Sequence, residues 1–298
     1  MGMTNRLLLD TSSLMYRSYF SHPPSITDAE GRPVNAIHGY LDMTAFLVRS
    51  RRPDEVVHVF DHDWRPAPRV ALYEGYKAKR LPDPPGLPEQ FLMLREVLDA
   101  LGQPQAEAEG WEAEDAIGAL CAAMPKGDRA DIVTGDRDLL QLVRDPAVRV
   151  LFTVRGVSQL TVFDEATVTQ KYGVPPSRYA DFAILRGDPS DGLPGVHGVG
   201  EKTARELAGA YPTVEALVAD AMSPKRTGAV LQRSPRLRAA IRDAAGYLEA
   251  MRKVVPIRTE VEVRAWTGQP NDARADELAE RHRLTGPVGR LREALGGS

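Results

Sequence analysis

The sequence predicts an α/β fold in which a mainly parallel sheet is covered by helices and followed by a smaller helical domain. Short apolar runs alternate with helical patterns through residues 1–178, which is typical of strands connected by helices. After residue 178 the strand signals fade, and glycine-rich turns and helical patterns follow. The 298 residues, 43% of them hydrophobic, are enough for two modest domains with sizeable cores. We therefore predict one domain at 1–178 and a second at 179–298.

The elements of the first domain follow from these patterns in chain order. The predicted strands are the short apolar runs Arg6–Leu9, Val56–Phe60, Asp131–Val133 and Val148–Phe152. The predicted helices between them are Asn35–Arg49, Pro88–Leu101 and Glu114–Ala123. In the second domain, Val254–Arg264 is a candidate extended segment.

The stretch from Trp64 to Pro88 breaks this alternation. It contains six prolines and one short helical pattern, at Val70–Lys79. A connection of this length is uncommon in a compact domain, and such segments often form lids or binding loops. We therefore interpret it as a lid or a binding loop.

Composition excludes several classes of protein. Cys121 is the only cysteine, so an internal disulfide and a cysteine-rich zinc site are excluded, and a reducing, cytoplasmic compartment fits. We expect no signal peptide, because the apolar run Leu7–Leu9 is short and ends at Asp10, and no apolar stretch is long enough to span a membrane. The net charge of −3 does not by itself indicate any class of binding partner. Because an average can conceal separate acidic and basic regions, the distribution of charge along the chain is more informative.

Three of the apolar runs lead into an aspartate: Asp10, Asp61 and Asp136. Because the carboxyl ends of parallel strands share one edge of the sheet, where ligands bind, we expect these side chains to converge. Asp138 follows two residues after Asp136, so both carboxylates can be aimed at the same place.

Two further acidic groups have structural readings of their own. Glu112, Glu114 and Asp115 open a helix, where the helix dipole favours each acid by about 0.3–1 kcal/mol. Asp188 and Asp191 stand among proline, serine and glycine, which are turn residues. Each group taken alone could therefore be purely structural.

Considered together, these acids favour a metal-binding site over separate structural roles. Two unit charges about 4 Å apart repel by about 4 kcal/mol at an effective dielectric constant of 20, and bound divalent cations would relieve that repulsion. Carboxylate oxygens suit Mg²⁺ or Mn²⁺ rather than zinc. Two such ions about 3.5–4 Å apart can clamp a phosphodiester and activate the attacking water. The sequence therefore predicts a two-metal site for phosphoryl transfer.

A glycine-rich turn follows at Leu193–Ala204. Its spacing partly resembles a phosphate-binding P-loop, but Glu201 stands where the lysine belongs, and no strand precedes it. We interpret it as a helix–turn–helix whose backbone approaches a phosphate chain without reading sequence, with a plain structural turn as the alternative. The predicted contact residues are Gly198, Gly200, Lys202 and Thr203.

Basic residues are concentrated in two segments. Trp64–Arg80 carries five basic residues against Glu74 alone, and Lys225–Arg258 carries nine, including Arg226, against two acids. A solvated face is the usual role of such a run. Beside an acidic metal site, the two segments favour a track for phosphates.

Several motifs occur together in a fixed order between Leu7 and Leu207. They are Leu9–Phe20, Val59–Asp61, Arg69 with Tyr76, Lys77 and Arg80, Glu112–Gly118, Thr134–Asp138 and Gly187–Ala204. Each motif is weak alone, but the set resembles the flap endonuclease family. It is most similar to the bacterial 5′ nuclease branch, which includes the 5′ nuclease domain of DNA polymerase I, here in a stand-alone form.

The resemblance implies a Rossmann-like (PIN-like) nuclease domain, a helical arch at about residues 64–88, and a helix-three-turn-helix motif that grips DNA. It implies Asp10, Asp61, Glu112 and Glu114 as ligands of a first Mg²⁺ or Mn²⁺ ion. A second ion would take Glu114, Asp136, Asp138 and Asp188, with Asp115 and Asp191 near a third. The implied catalytic residues are Arg69, Lys77 and Arg80, which match arch cations at the scissile phosphate, with Tyr76 and Arg17. K⁺ is expected at the DNA-gripping turn.

Two positions depart from the family pattern. Glu114 stands where the bacterial branch usually has aspartate, although the eukaryotic branch also has glutamate there. Gly192 replaces a usual asparagine after Asp191.

The function implied is a structure-specific 5′ nuclease, both 5′-3′ exonuclease and 5′-flap endonuclease, acting through two or three metal ions in replication and repair. The expected partner is DNA with 5′ flaps, nicks or branches, including RNA primer ends, and the expected state is a cytoplasmic, nucleoid-associated monomer linked functionally to a DNA polymerase and a ligase. A non-catalytic protein that binds branched DNA is one alternative, which the complete acidic set disfavours. A PIN-like ribonuclease is another, which the grip at Gly195–Thr203 disfavours.

Overall fold

The computed structural model describes residues 2–225 and 228–296. Arg226, one of the basic residues of the predicted phosphate track, lies outside the described residues. Within the described part, no helix is both long and apolar enough to cross a membrane.

A single sheet of seven strands organises the chain. In chain order the strands are β1 (Asn5–Asp10), β2 (Glu55–Val59), β3 (Pro104–Ala108), β4 (Arg129–Thr134), β5 (Val148–Thr153), β6 (Leu160–Phe163) and β7 (Val263–Thr267). They lie in the order β6-β5-β4-β1-β2-β3-β7. The five inner strands are parallel, and the edge strands β6 and β7 are antiparallel to their neighbours. The predicted, mainly parallel α/β sheet followed by helices is confirmed.

Helices cover both faces of the sheet and build the part that follows it. The first six are α1 (Thr11–Ser21), α2 (Asn35–Arg51), α3 (Ala67–Leu72), α4 (Leu87–Ala100), α5 (Ala113–Ala122) and α6 (Glu165–Tyr172). The next six are α7 (Tyr179–Arg186), α8 (Glu201–Ala210), α9 (Val214–Met222), α10 (Ala229–Arg233), α11 (Pro235–Asp243) and α12 (Ala245–Val254). The last two are α13 (Asp272–Arg281) and α14 (Thr285–Gly296).

The core lies in two apolar layers, one on each face of the sheet. Successive residues of β1 alternate between them, with Leu8 in one layer and Leu7 and Leu9 in the other. Because both faces are buried, the inner strands read as continuous apolar runs rather than as alternating ones. This is why β1, β2, β4 and β5 were predictable from the sequence.

Other elements differ from the predictions. Strand β3 was not predicted, because its sequence, Pro-Gln-Ala-Glu-Ala, contains no apolar run. Its two polar side chains are instead paired with residues of helix α4. Gln105 donates to Asp99 at 2.6 Å, and Glu107 pairs with Arg95 at 2.7 Å. The extended segment expected at Val254–Arg264 is largely wrong, because α12 runs to its first residue and β7 begins only at Val263.

The chain returns to the sheet after the helical part. Strand β7 pairs with β3, helix α13 packs against α4, and α14 packs against α2. Arg290 of α14 forms a bidentate ion pair with Asp42 of α2, with an Nε–Oδ1 distance of 2.8 Å. The division after residue 178 stays a prediction, but residues 263–296 contact the elements of the first domain.

The segment at residues 64–86, which we call the strap, connects β2 to α4. It was expected to be a helical arch with a helix near Val70–Lys79. Its α-helix is the six-residue α3, and turns at residues 74–79 follow it. The prolines at both ends of the strap limit the helix, since proline cannot donate a backbone hydrogen bond. The strap runs beside the cleft described next.

Candidate active site

The carboxyl ends of three inner strands meet at one cleft. Asp10 ends β1, Asp61 follows β2, and Asp136 follows β4, and all three line a cleft of about 1360 Å³. This volume exceeds that of a typical small-molecule pocket, which suits a polymer substrate. The expected convergence of the strand-terminal acids is confirmed.

Asp10 is fixed by hydrogen bonds from two neighbouring elements. Its Oδ2 accepts a bond from the Thr134 hydroxyl at 2.6 Å, and its Oδ1 accepts one from the Ser13 N–H at 3.1 Å, which caps α1. Burial, together with the nearby charges of Asp61 and Asp136, raises the pKa of Asp10 to about 7, against the lowering effect of its hydrogen bonds. This carboxylate is therefore costly to ionise without a cation beside it.

The first turn of α5 brings a second group of acids to the cleft. One oxygen each of Glu112, Glu114 and Asp115 lies within 4.8 Å of the others. Asp61 joins this group to β2 by accepting a hydrogen bond from the Ala113 N–H at 2.7 Å. Burial raises the pKa of Glu114 to about 8, and nearby Arg69 opposes that rise.

Asp136 and Asp138 extend the acidic surface towards the glycine-rich turn. The Asp138 N–H donates to Asp136 Oδ1 at 2.8 Å. Burial raises the pKa of Asp138, and the charges of Asp136 and Glu114 add to that rise. Burial also raises the pKa of Asp191, which Lys77 opposes.

Asp188 stands at the start of the turn that carries Asp191. Its Oδ1 accepts a hydrogen bond from the Ser190 N–H at 2.9 Å, and its Oδ2 lies 3.7 Å from the Arg186 guanidinium. Asp188 and Ser190 both line the cleft. The turn thus adds a carboxylate to the acids supplied by the sheet.

The strap contributes basic residues to the lining of the cleft. Lys77 and Arg80 line the cleft, and the Lys77 ammonium pairs with Glu112. Tyr76 is buried, and its hydroxyl donates to Glu112 Oε2 at 2.6 Å. An Arg80 nitrogen lies 3.7 Å from Asp191 Oδ1. The expected juxtaposition of strap cations and acids is present for Lys77 and Arg80.

Arg69 lies elsewhere than expected. Its side chain is only 1% exposed, and it pairs with Glu112, with Glu114 at 3.0 Å and with Asp115 at 2.8 Å. Its Nε donates to the Val254 carbonyl at 3.0 Å. Because these partners enclose the guanidinium behind the acids, its place does not fit the predicted contact with a scissile phosphate.

Two other predicted residues also lie behind or beside the cleft. Asp115 is fully buried, and its Oδ1 accepts hydrogen bonds from Arg69 and, at 2.9 Å, from the Arg258 N–H. Arg17 donates to the Thr153 carbonyl at 2.8 Å, which ties α1 to β5 rather than to the cleft. The structure therefore gives both side chains structural contacts, and a catalytic or metal-binding role for either stays a prediction.

The glycine-rich turn presents open backbone to solvent. Gly198 has φ 75° and Gly200 precedes α8, and an added Cβ at either glycine would meet no atom within 4 Å. Lys202 is exposed and Thr203 is half-buried in the first turn of α8. This geometry leaves room for a close backbone approach at the positions predicted to contact DNA.

Comparison with known proteins identifies the chain. The family "5′-3′ exonuclease, N-terminal resolvase-like domain" matches residues 5–173, and "5′-3′ exonuclease, C-terminal SAM fold" matches residues 174–277. The chain belongs to the 5′-3′ exonuclease family. The resemblance drawn from the motifs is thereby confirmed, and the chain is a structure-specific 5′ nuclease.

Two relatives in this family match nearly the whole chain. A 5′-3′ exonuclease of Mycobacterium tuberculosis is 40% identical over 316 residues, covering 97% of both chains. A 5′-3′ exonuclease of Streptomyces coelicolor is 42% identical over 306 residues, covering 97% of this chain and 99% of its own. The DNA polymerase I of Mycobacterium bovis is 42% identical over 214 residues, but these are only 24% of its length.

Solved structures share the fold at low sequence identity. The T5 D15 protein co-crystallised with metal ions has a TM-score of 0.65 at 15% identity, covering 97% of this chain and 99% of its own. Flap endonuclease-1 from Methanococcus jannaschii has a TM-score of 0.62 at 15% identity, covering 99% and 94%. Both comparisons show that the fold of this chain also occurs in proteins with little sequence similarity to it.

Sequence reasoning missed the residues that hold the acids in place. Thr134 and Ser13 fix Asp10, and each carried a signal: Thr134 precedes the predicted Asp136 by two residues, and Asp10 with Ser13 matches an N-cap pattern. The exposed apolar residues Phe20 and Leu81 also line the cleft, and neither was predicted as a site residue, although Phe20 ends the motif Leu9–Phe20.

Proposed function

We propose that this 5′ nuclease hydrolyses DNA phosphodiesters with Mg²⁺ or Mn²⁺ held by the acids of the cleft. The observation that carries the proposal is that six carboxylates, besides that of Asp83, line one cleft together with Lys77 and Arg80. The six are Asp10, Asp61, Glu112, Glu114, Asp136 and Asp188.

The donor set fits divalent cations with oxygen ligands. Burial, with the charges of neighbouring carboxylates, raises the pKa of Asp10 to about 7 and that of Glu114 to about 8, so a bound cation would favour the ionised form of both. The grouped donors are carboxylates, without cysteine or histidine among them, which favours Mg²⁺ or Mn²⁺ over zinc. When bound, such ions would supply Lewis acidity and lower the pKa of the attacking water.

We assign the ligands by position. Asp10, Asp61, Glu112 and Glu114 would hold the first ion. Glu114, Asp136, Asp138 and Asp188 would hold the second, with Asp191 near a third.

The residues of the strap would act on the phosphate. Lys77 and Arg80 would place positive charge beside the oxygens on which charge develops, where one such donor is worth about 10²–10³ in rate. Tyr76 would hold Glu112 in orientation through its hydrogen bond of 2.6 Å. The products would carry a 5′ phosphate and a 3′ hydroxyl.

The helical part would hold the duplex. Gly198, Gly200, Lys202 and Thr203 would contact its phosphate backbone, and K⁺ would bind at this turn. Arg233, Arg236 and Arg242 of the second basic segment are exposed and form no ion pair with other residues in the described ranges, so they are free to add phosphate contacts.

The substrate and setting follow from this arrangement and from the relatives. We propose 5′ flaps and nicked or branched duplexes as substrates, including ends that carry an RNA primer, and a monomer in the cytoplasm at the nucleoid. A related structure is a T5 D15 flap endonuclease complex with DNA and metal ions. Because the chain is similar to part of DNA polymerase I, we propose that it acts together with a DNA polymerase and a ligase.

Cleavage of a labelled 5′-flap DNA tests this function. We expect cleavage with Mg²⁺ or Mn²⁺ and none with a chelator. The Asp136→Asn variant should lose cleavage and keep DNA binding, because it removes a ligand without removing the strap or the grip.

Asp131→Asn is the matched control. Asp131 lies on the same strand as the Thr134 that holds the site, but it pairs with Arg149 at 2.9 Å and should leave the rate unchanged. Binding of the flap without cleavage by the wild type would support the non-catalytic alternative. Faster cleavage of an RNA flap than of the DNA flap would support the ribonuclease.

A further inference from the structure

Helix α4 brings a basic side chain, Arg95, to the lining of the cleft. Phe91, which lies one helical turn earlier, lines the same cleft, so this face of α4 borders it. The side chain of Arg95 is 26% exposed, and its guanidinium lies over the ring of Phe60, 4.0 Å from the ring centroid. Because Phe60 directly precedes Asp61, the guanidinium lies near the end of β2 that carries a proposed ligand of the first ion.

Two aromatic rings and one carboxylate hold this guanidinium. Besides Phe60, the ring of Trp266 lies 5.5 Å from it. Its Nη2 donates to Glu107 Oε2 at 2.7 Å, whereas its Nε and Nη1 form no hydrogen bond within residues 2–225 and 228–296. A planar guanidinium that is fixed through one nitrogen and unpaired at the others is preorganised to bind an anion.

The carboxylate of Glu107 is shared with a second arginine. Arg264 Nη1 lies 3.6 Å from Glu107 Oε1, and its guanidinium lies 5.1 Å from the ring of Trp266. One carboxylate can neutralise only one of the two guanidiniums that pair with it. Arg264 is 75% exposed and does not line the cleft, whereas Arg95 does. The positive charge that Glu107 leaves uncompensated is therefore available at Arg95 to an anion in the cleft.

We propose that Arg95 binds a phosphodiester of the cut strand next to the one that is hydrolysed. This rests on the proposed function, which places DNA in the cleft and the scissile phosphate at the ions. The carboxylate partner of Arg95 is Glu107, which does not line the cleft, so Arg95 stands apart from the acids that would hold those ions. Its fork of donors matches two oxygens of one phosphate.

Such a contact would hold the substrate without taking part in the chemical step. The charge of a neighbouring phosphate does not change while the scissile bond breaks. The contact would therefore be equally strong before and during the reaction, which strengthens binding and leaves the rate of the chemical step unchanged.

Two substitutions separate the charge of Arg95 from its geometry. Arg95→Met removes the charge and keeps an unbranched apolar chain beside Phe60. Arg95→Lys keeps the charge but loses the planar fork. Arg264→Met is the matched control, because Arg264 shares Glu107 and Trp266 with Arg95 but does not line the cleft.

Affinity for a 5′-flap DNA, measured by fluorescence anisotropy in the presence of a chelator, gives the first readout. The flap carries a 5′ hydroxyl, so that only phosphodiesters can take part. Arg95→Met should bind about tenfold to a hundredfold more weakly, because a charge-assisted contact to phosphate is lost. Arg95→Lys should lie between, and Arg264→Met should stay within about twofold of the wild type. With Mg²⁺, Arg95→Met should raise KM by a similar factor and leave kcat near that of the wild type.

Neutral methylphosphonates, placed one at a time near the flap junction, identify the phosphate that is bound. In the wild type, one replacement next to the scissile phosphodiester should weaken binding about tenfold or more. In Arg95→Met the same replacement should cost nothing further, while replacements at other positions keep their effects. A loss of structure would not be confined to one phosphate in this way.

Equal affinities of Arg95→Met and Arg264→Met would overturn the proposal. So would methylphosphonate effects that are the same at every position in Arg95→Met and in the wild type, or a fall in kcat at an unchanged KM. A wild type that binds the flap without cutting it would refute the proposed function, whereas the affinities in chelator would still decide whether Arg95 binds a phosphate.

Discussion

Arg69 shows how one buried residue balances the charge of the site. Its guanidinium pairs with three carboxylates, those of Glu112, Glu114 and Asp115, while its side chain is only 1% exposed. The planar, always charged guanidinium suits this role, because it donates several hydrogen bonds in fixed directions. It therefore stabilises these three acids by direct ion pairs.

Removing this cation should destabilise the fold. For Arg69→Met we expect a loss of about 3–5 kcal/mol in the free energy of unfolding, because the buried carboxylates are left without their partner. Urea unfolding of the metal-free protein measures it. Arg149→Met removes an exposed pair with Asp131 and should cost less than about 1 kcal/mol. Equal losses in the two variants would contradict the role given to Arg69.

The strand-terminal acids were predictable and Arg69 was not. Asp10, Asp61 and Asp136 converge because parallel strands place their carboxyl ends at one edge, whatever the connections between them. The position of Arg69 depends instead on the Val254 carbonyl, which is 185 residues away in sequence. Such a contact follows from how the helical part docks, which local patterns do not encode.

Helix α8 and the turn before it form an exposed surface of backbone and positive charge. Gly200 precedes the helix, so its first N–H groups face solvent at the positive end of the helix dipole. Lys202 is exposed in the first turn. An arrangement of this kind binds phosphate without distinguishing bases.

Loss of Lys202 should weaken DNA binding uniformly. For Lys202→Ala we expect lower affinity for every duplex sequence and a slope of log K against log salt that is shallower by about 1, because one fewer counterion is released. Fluorescence anisotropy at several salt concentrations measures it. Lys126→Ala, at an exposed lysine between α5 and β4, is the control. An unchanged slope in Lys202→Ala would remove this residue from the DNA surface.

Elements were predicted where apolar runs are long or buried on both faces. Strand β3 was hidden because Gln105 and Glu107 are polar yet buried, and their partners are known only from the fold. Strand β7 pairs at the edge with only partial burial, so its sequence shows no continuous apolar run. Polar side chains that find partners in the fold, and strands at the sheet edge, thus escape the hydrophobic pattern.

A buried histidine links the stability of the whole molecule to pH. His58 of β2 has no exposed surface, and its Nδ1 lies within hydrogen-bond distance of the Tyr40 hydroxyl, at 2.6 Å. Burial lowers the pKa of His58 to about 3. Unfolded, its pKa would be about 6.5. Between these values the unfolded chain binds more protons, so stability is complete above pH 6.5 and falls as the pH drops towards 3.

Replacing this histidine should flatten that dependence. Between pH 6.5 and 4 the free energy of unfolding should fall less in His58→Gln than in the wild type. The two pH slopes should differ by up to about 1.4 kcal/mol per pH unit, which is the contribution of one titrating group. Urea unfolding across this range measures it, with the exposed His197→Gln as control. Parallel pH profiles of the wild type and His58→Gln would contradict the assignment.

At the scale of the whole molecule, a net charge of −3 conceals a cleft that is lined by acids together with Lys77 and Arg80 of the strap. The central claim is that acids far apart in sequence form one site for divalent ions. Anomalous diffraction from a crystal soaked in Mn²⁺ tests it most directly. The account predicts two peaks within coordination distance of carboxylate oxygens of Asp10, Glu114 and Asp136. A cleft without a peak at saturating Mn²⁺ would contradict it.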